Sequence, residues 1–336
     1  MRIDSGLETS RLMDVPAEVR RLEEFGYDGV YTFEGPHEPF FPLLLAAEHS
    51  QHLTLTTAIA IAFARNPMTL AQTAYDLQLA SQGRMVLGLG TQIRPHITRR
   101  FSMPWSRPAA RMHELVRAIR AIWATWHEGA PLDFHGEFYT HTLMTPMFDP
   151  GPSPWGVPRI ALAGVGPRMT EVAGEVADGF IVHPFTTPTF LTEVTLPAIG
   201  RGLAASGRDR ADFEVSLPAM VAVADTDEEL ERERRGFAMR LAFYGSTPAY
   251  RVVLDAHGWG DLQPELHRLT KAGAWADIAT LIDDDVLDAF VTVGRPEDIP
   301  GLLRSRFGDL VDRVSVAPPV GIDRDRWRAV LAELHT

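Results

Sequence analysis

The feature that most constrains the fold is an almost end-to-end alternation of short apolar runs with longer amphipathic stretches. The short runs are rich in β-branched residues, as in 53–63, whereas the longer ones carry apolar side chains at helical spacing, as in 106–127. This alternation is typical of repeated strand–helix units whose parallel strands are buried on both faces. It predicts an α/β protein.

Eight apolar runs have the composition of strands, and eight strands suit a closed (β/α)8 barrel. An open, doubly wound sheet would produce the same local pattern. A dinucleotide-binding sheet of that kind would carry G-x-G-x-x-G after its first strand, and the first turn here has no such run. We therefore predict a single TIM-barrel domain over 1–336. The predicted strands are 1–7, 29–34, 53–63, 84–90, 159–163, 179–183, 214–224 and 313–317.

Two segments interrupt the strand–helix rhythm. A hairpin-like stretch at 132–144 predicts an insertion spanning 130–157, after the fourth strand–helix unit. The second segment, about 237–290, contains Gly-Ser-Thr-Pro and Gly-Trp-Gly runs and fits no repeat. It is either a helical excursion before the last strand or a mobile flap over the pocket.

Charge and composition narrow the function. Forty-four acidic against 32 basic residues give a formal net charge of -12, which argues against binding nucleic acid or an anionic membrane. The absence of cysteine excludes disulfides, thiolate metal sites and thiol nucleophiles. With no signal-peptide pattern and no apolar stretch long enough to span a bilayer, we expect a cytoplasmic enzyme acting on a small-molecule substrate.

In such a barrel the ligand site lies at the carboxyl ends of the strands, so side chains just past each strand are the candidates. Glu34 and His37 follow the second predicted strand, His96 follows the fourth and His183 ends the sixth. Each histidine alone is more often structural than catalytic. Three on one rim nevertheless indicate acid–base chemistry.

Two glycine-rich turns could approach a cofactor. The turn Ala163-Gly164-Val165-Gly166-Pro167 opens a helix, where free backbone N–H groups favour a phosphate. Gly90 and Thr91 end the fourth strand, where a flat ring could lie against the backbone. Each turn also has a purely steric interpretation, namely a tight turn or a close packing layer in the barrel.

The sequence has no H-E-x-x-H, no clustered carboxylate motif and no G-x-S-x-G, so metalloprotease and serine-hydrolase chemistry lack support. Redox chemistry supplied by an organic cofactor is the remaining interpretation.

An ordered set of motifs carries a family resemblance. The motifs are Gly26–Tyr31, Ala64–Pro67, Gly83–Thr91, Arg111 with Glu114, and Val176–Ile181. In this order and spacing the chain resembles the luciferase-like monooxygenase family, most closely its branch that uses the deazaflavin coenzyme F420 rather than FMN.

That resemblance implies a homodimer with the deazaflavin ring over the barrel mouth, against a non-prolyl cis peptide in the third strand near Ala58-Ile59. It also implies that Gly90, Thr91 and His96 edge the ring and its side chain. Gly164, Val165 and Gly166 would hold the phosphate.

The chain departs from the family pattern at its acid–base positions. Glu34-Gly35 stands where deazaflavin-linked sugar-phosphate dehydrogenases carry Asp-His, and Ile93 stands where they carry a glutamate. His183 replaces a hydroxyl residue that touches the sugar phosphate, which argues against that substrate.

The mechanistic hypothesis is hydride transfer between the deazaflavin and an organic substrate, with Glu34, His37 or His183 assisting proton movement. One alternative is an FMN-dependent monooxygenase that works with a separate flavin reductase. A non-catalytic flavin- or ligand-binding barrel is another.

Overall fold

The computed structural model describes residues 1–7 and 11–335, and strands alternate with helices along the chain. The strands are β1 (Arg2–Gly6), β2 (Gly29–Thr32), β3 (Thr54–Thr57), β4 (Ala60–Ile61), β5 (Met85–Gly90), β6 (Phe134–His135), β7 (Thr140–His141), β8 (Arg159–Gly164), β9 (Gly179–Val182), β10 (Glu214–Pro218), β11 (Met220–Val223), β12 (Val291–Gly294) and β13 (Arg313–Ser315). The helices are α1 (Val15–Phe25), α2 (Phe40–His49), α3 (Pro67–Ala80), α4 (Pro108–Glu128), α5 (Pro167–Val176), α6 (Pro188–Phe190), α7 (Leu196–Ser206), α8 (Asp227–Gly245), α9 (Arg251–Asp255), α10 (Leu262–Ala272), α11 (Trp275–Ile278), α12 (Asp284–Phe290), α13 (Ile299–Phe307) and α14 (Arg324–His335).

The main sheet closes into a barrel of parallel strands, which confirms the predicted (β/α)8 fold. Its order is β3-β2-β1-β13-β10-β9-β8-β5, and β5 closes the ring by pairing with β3. All of these pairings are parallel. Within the described residues, no helix is long and apolar enough to cross a bilayer.

Two predicted strands are interrupted. Within the 53–63 run, β3 ends at Thr57 and a cis peptide follows at Ala58-Ile59. The run then resumes as β4, which pairs with β5. The 214–224 run is not one strand either, because it breaks after Pro218. β10 stays in the barrel, while β11 pairs with β12 in a separate two-stranded parallel sheet.

The break has a local cause that the apolar pattern hides. Pro218 has no N–H to donate to a strand ladder, so the run can change partners at this point. The apolar alternation nevertheless continues through the break. No predicted strand corresponds to β12. The sequence therefore shows one run where the structure has two strands.

The 130–157 segment contains the antiparallel pair β6–β7. Two charged residues of α4 hold this pair in place. The Glu114 carboxylate accepts backbone N–H groups of Glu137, Phe138 and Tyr139 at 2.8, 2.6 and 2.7 Å. Arg111 is buried and donates to the Tyr139 hydroxyl at 2.8 Å. Arg111 and Glu114 therefore hold the hairpin against the barrel wall.

The chain between β11 and β12 is helical, comprising α8 to α12. Its apolar side chains pack with the loop after β9 in a second core, separate from the main one. Phe185, Phe190, Met220, Leu241 and Phe290 are buried members of this second core.

The amino-terminal end of the barrel is closed by buried charges. Arg313 donates to the Asp4 carboxylate at 2.8 Å, and its side chain is only 4% exposed. Glu214 lies 3.8 Å from the same guanidinium. The cavity that remains inside the barrel is about 30 Å³, room for about one water. A coenzyme-sized ligand is therefore too large for this interior.

The Asp4–Arg313 pair predicts a stability effect. Replacing Arg313 with Met would leave the Asp4 carboxylate buried without its cation, so we expect the free energy of unfolding to fall by about 3–5 kcal/mol. Glu231→Gln, which breaks an exposed pair with Arg235, should cost no more than about 1 kcal/mol. Urea unfolding of the three proteins measures the difference, and equal losses would contradict a structural role for the buried pair.

Candidate active site

The candidate active site is the carboxyl-terminal mouth of the barrel, where the loops after β2, β5, β8 and β9 meet. Glu34, Thr91, Val165 and His183 each follow one of these strands closely. Because neighbouring parallel strands end at the same rim, side chains far apart in the sequence are brought to one surface.

The floor of the mouth is apolar and closely packed. Ala58, Ile59 and Ala163 pack on the buried side chains of Val86, Ala161 and Ile181. The resemblance implied a cis peptide near Ala58-Ile59, and the structure has it at that bond. A Cβ added at Gly90 would lie 2.8 Å from the Ile59 side chain, so glycine lets that side chain lie against β5. The surface can accept a flat ring.

Glu34 is held by two donors rather than left free. Its carboxylate accepts the Ile61 N–H at 2.7 Å and an Arg65 N–H at 2.6 Å, and its side chain is 7% exposed. The Glu34 N–H in turn donates to the Ile59 carbonyl at 3.1 Å. Glu34 therefore holds the chain just after the cis peptide, at Ile59 and Ile61.

The turn before α5 has the features of an anion site. Gly166 is the N-cap residue of α5 and offers no side-chain cap, so the first N–H groups of this ten-residue helix lack that partner. A Cβ at Gly166 would meet nothing within 4 Å, which shows open space beside the turn. Ala163, Gly164, Val165 and Pro167 complete the turn, and its residues fit a phosphate group.

A basic segment, Arg94–Arg100, follows β5 at the same rim. It contains three arginines and His96 but no acidic residue, in a chain of net charge -12. Arg100 donates to the Gly35 carbonyl at 2.6 Å and so contacts the loop after β2. Arg94 and Arg99 form no ion pair within 1–7 and 11–335. The basic segment is therefore a local positive patch beside the mouth.

His183 is half-buried at the end of β9. Its Nδ1 accepts the Phe185 N–H at 3.0 Å, which places the ring proton on Nε2. Burial lowers the pKa of His183 to about 4. The side chain is thus a neutral imidazole that presents one N–H donor.

His183, Tyr244, Tyr250, Phe185 and Phe290 form a connected ring cluster that we call the aromatic box. The Tyr250 and Tyr244 rings lie 4.6 and 5.0 Å from the His183 ring, between centroids. The Phe185 ring lies 6.2 and 6.3 Å from the Tyr244 and Tyr250 rings and stacks on the Phe290 ring at 4.6 Å. Neither tyrosine hydroxyl has a hydrogen-bond partner within the described part of the chain.

The remaining predicted residues are more exposed. His37 and His96 lie on the surface after β2 and β5, and Ile93 is 39% exposed. Among the described residues, no ring contact or hydrogen bond joins His37, His96 and His183 to one another. The rim places them at one end of the barrel, but only His183 enters a packed cluster.

Tyr244 and Tyr250 were not among the predicted site residues. Both lie in the 237–290 segment that fitted no repeat, and their only signal was two aromatic residues flanking the Gly-Ser-Thr-Pro run. Over the ranges that the structure describes, no group of three or more His, Asp or Glu side chains could hold a metal ion.

Comparisons with known proteins agree with this geometry. A family model described as luciferase-like monooxygenase matches residues 1–313. An uncharacterized protein of Mycobacterium tuberculosis is 58% identical over 293 residues, covering 87% of this chain and 86% of that protein. The 5,10-methylenetetrahydromethanopterin reductase of Archaeoglobus fulgidus is 26% identical, covering 92% and 90%. The solved coenzyme F420-dependent tetrahydromethanopterin reductase of Methanopyrus kandleri has the same fold, with a TM-score of 0.80, 21% identity and coverage of 99% and 98%.

The buried imidazole predicts a pH dependence of stability. Because folding lowers the pKa of His183 from 6.5 to about 4, the unfolded chain binds a proton here at higher pH than the folded chain does. Stability contributed by the neutral ring is therefore complete above about pH 6.5 and is lost toward pH 4. Urea unfolding should show a fall of up to about 2 kcal/mol between pH 6.5 and 5 from this residue.

The comparison protein for this measurement is His183→Asn, whose amide oxygen can still accept the Phe185 N–H. The variant should lose less stability over the same pH interval, because asparagine does not titrate. An identical pH profile for the two proteins would show that folding does not lower the pKa of His183.

Proposed function

Because the chain belongs to the luciferase-like monooxygenase family, we propose that it is an oxidoreductase that transfers hydride between coenzyme F420 and an organic small molecule. The observation that carries this proposal is the pairing, at one mouth, of an apolar floor with an uncapped helix terminus. The floor at Ala58, Ile59 and Gly90 suits a flat ring, and the turn at Gly166 suits a phosphate.

Coenzyme F420 is favoured over FMN by two observations. The solved reductase of Methanopyrus kandleri is described as coenzyme F420 dependent, and a 26% identical protein of Mycobacterium tuberculosis is described as a putative coenzyme F420-dependent oxidoreductase. The positive charge of the basic segment also exceeds what one phosphate group needs. It therefore suits a coenzyme with an extended anionic tail. When bound, the deazaflavin supplies a carbon centre that accepts or releases hydride in a two-electron step.

The residues at the mouth have separate roles in this proposal. Backbone N–H groups of Gly164 to Gly166 bind the phosphate, and Thr91 and His96 border the coenzyme. His183 donates its Nε2–H to an oxygen that gains negative charge during the reaction. A neutral imidazole is a poor proton source, so His183 polarises this oxygen rather than protonating it.

Glu34 is a positioning residue in this proposal, because Arg65 and the Ile61 N–H both donate to its Oε2. It keeps the interrupted third strand in place under the ring. Proton exchange with solvent falls to His37, which is exposed beside the same rim.

Titration of the purified protein with coenzyme F420 and, separately, with FMN tests the choice of cofactor. We expect saturable binding of coenzyme F420 and weaker binding of FMN. Preference for FMN, together with oxygen-dependent product in the presence of a flavin reductase, would support the monooxygenase alternative instead. Binding of neither would overturn the proposed function.

Two substitutions at the turn before α5 test the phosphate site. Gly166→Asp and Gly166→Asn both provide a favourable helix N-cap, but only Asp places a negative charge beside the phosphate. We expect Gly166→Asp to raise the Kd for coenzyme F420 by about tenfold or more, and Gly166→Asn by no more than about threefold. Equal effects of the two variants would argue against a phosphate at this turn.

A deazaflavin that lacks the phosphate tail provides the control for this pair. It should bind the parent protein and both variants with the same Kd, because no charge would face Gly166. Isothermal titration or fluorescence measures all six combinations.

His183 variants test its role in turnover. His183→Asn keeps an acceptor for the Phe185 N–H but has no donor at the Nε2 position, so turnover should fall about 10²-fold while the Kd for coenzyme F420 changes little. His183→Gln can return an N–H to that position and should recover part of the rate. The absorbance of the deazaflavin reports turnover, and an unchanged rate in His183→Asn would remove this residue from the mechanism.

A further inference from the structure

We propose that the aromatic box binds the reacting end of an uncharged, planar carbonyl compound, an aryl or conjugated ketone or aldehyde, or the corresponding alcohol. This inference rests on the proposed function and names the substrate class of the same site.

The shape of the aromatic box favours a flat group. Tyr244 meets the His183 ring edge to face at an interplanar angle of 77°, and Tyr250 meets it at 51°. Phe185 and Phe290, both buried, form a stacked apolar base with an interplanar angle of 23°. His183, Tyr244 and Tyr250 are half-buried, and the accessible surface of their rings interacts best with another ring or a conjugated plane.

The polar atoms of the aromatic box favour a hydrogen-bond acceptor. His183 presents Nε2–H, because its Nδ1 is occupied by the Phe185 N–H. Burial raises the pKa of Tyr244 and raises that of Tyr250 to about 12, so both hydroxyls keep their protons. The rings of one cluster therefore carry three donors that have no partner in the described residues. A carbonyl oxygen is the group that such donors complement.

The charges nearby do not favour an ionic substrate. Arg240, on the same helix as Tyr244, lies over the Phe237 ring at 5.2 Å. Arg251, next to Tyr250, pairs with Asp255 at 3.2 Å. Each arginine thus already contacts another side chain, and the box residues themselves carry no formal charge. Desolvating an ionic substrate there would be uncompensated.

The reaction balances in either direction. In reduction, the carbonyl carbon accepts hydride from the reduced deazaflavin, the C=O π bond breaks onto oxygen, and that oxygen takes a proton from solvent. The products are the alcohol and the oxidised deazaflavin. His183 and the two tyrosines hydrogen-bond to the oxygen as its negative charge develops.

Four ketones of similar size test the substrate class with the reduced coenzyme. Acetophenone is planar and neutral, cyclohexyl methyl ketone is neutral but not planar, 4-acetylbenzoate is planar and anionic, and N-methyl-4-acetylpyridinium is planar and cationic. We expect kcat/KM for acetophenone to exceed each of the others by at least tenfold. A preference for the cyclohexyl, anionic or cationic ketone overturns the proposal.

Tyrosine variants connect this preference to the aromatic box. Tyr244→Phe and Tyr250→Phe keep the rings but remove the donors, so each should lower kcat/KM for acetophenone by about tenfold while leaving the Kd for coenzyme F420 unchanged. Tyr139→Phe makes the same chemical change in the hairpin insertion and should leave kcat/KM unchanged. Equal effects at all three positions would mean that the aromatic box does not contact the substrate.

The two proposals fail in different ways. If coenzyme F420 binds but no ketone oxidises its reduced form, the substrate class is wrong and the proposed cofactor stands. If the coenzyme does not bind, the proposed function itself is wrong, whatever the ketones do.

Discussion

Closure of the sheet by parallel pairing is the constraint on which the rest of the structure depends. The hydrogen bonds between β3 and β5 complete the ring, and because every neighbouring pair is parallel, all strands end at one rim. The opposite end is closed by Asp4 and Arg313, and little space remains between the two ends. A ligand therefore has one face on which to bind, and the loops of that face determine the chemistry.

Much of the barrel could be predicted from the sequence, because buried parallel strands leave a strong apolar signal. All eight barrel strands fall in predicted runs. The interruptions after Thr57 and Pro218 could not be read from hydropathy, since a strand that changes partner keeps its apolar residues. The cis peptide at Ala58-Ile59 came from the family resemblance and not from the residues themselves.

The site was harder to predict, because its packing joins distant parts of the chain. His183 was identified from its position after a strand, but Tyr244 and Tyr250 contact it only through the folding of α8 and the turn that follows. The partners of Glu34 were equally hidden from the sequence, since the Ile61 N–H and Arg65 both donate to its Oε2. Position on the rim thus identifies candidates, and hydrogen-bond partners decide their roles.

The pairing of β11 with β12 has a consequence for how such a protein can change. These strands begin and end the helical excursion, and they lie side by side in register from Met220 with Val291 to Val223 with Gly294. The two ends of the excursion are therefore joined by this strand pairing. Its helices can be lengthened, shortened or exchanged while the barrel keeps its closure. Tyr244 and Tyr250 belong to this replaceable part, whereas the glycine turns belong to the barrel. The proposed substrate site and the proposed coenzyme site therefore lie in parts of the chain that can vary independently.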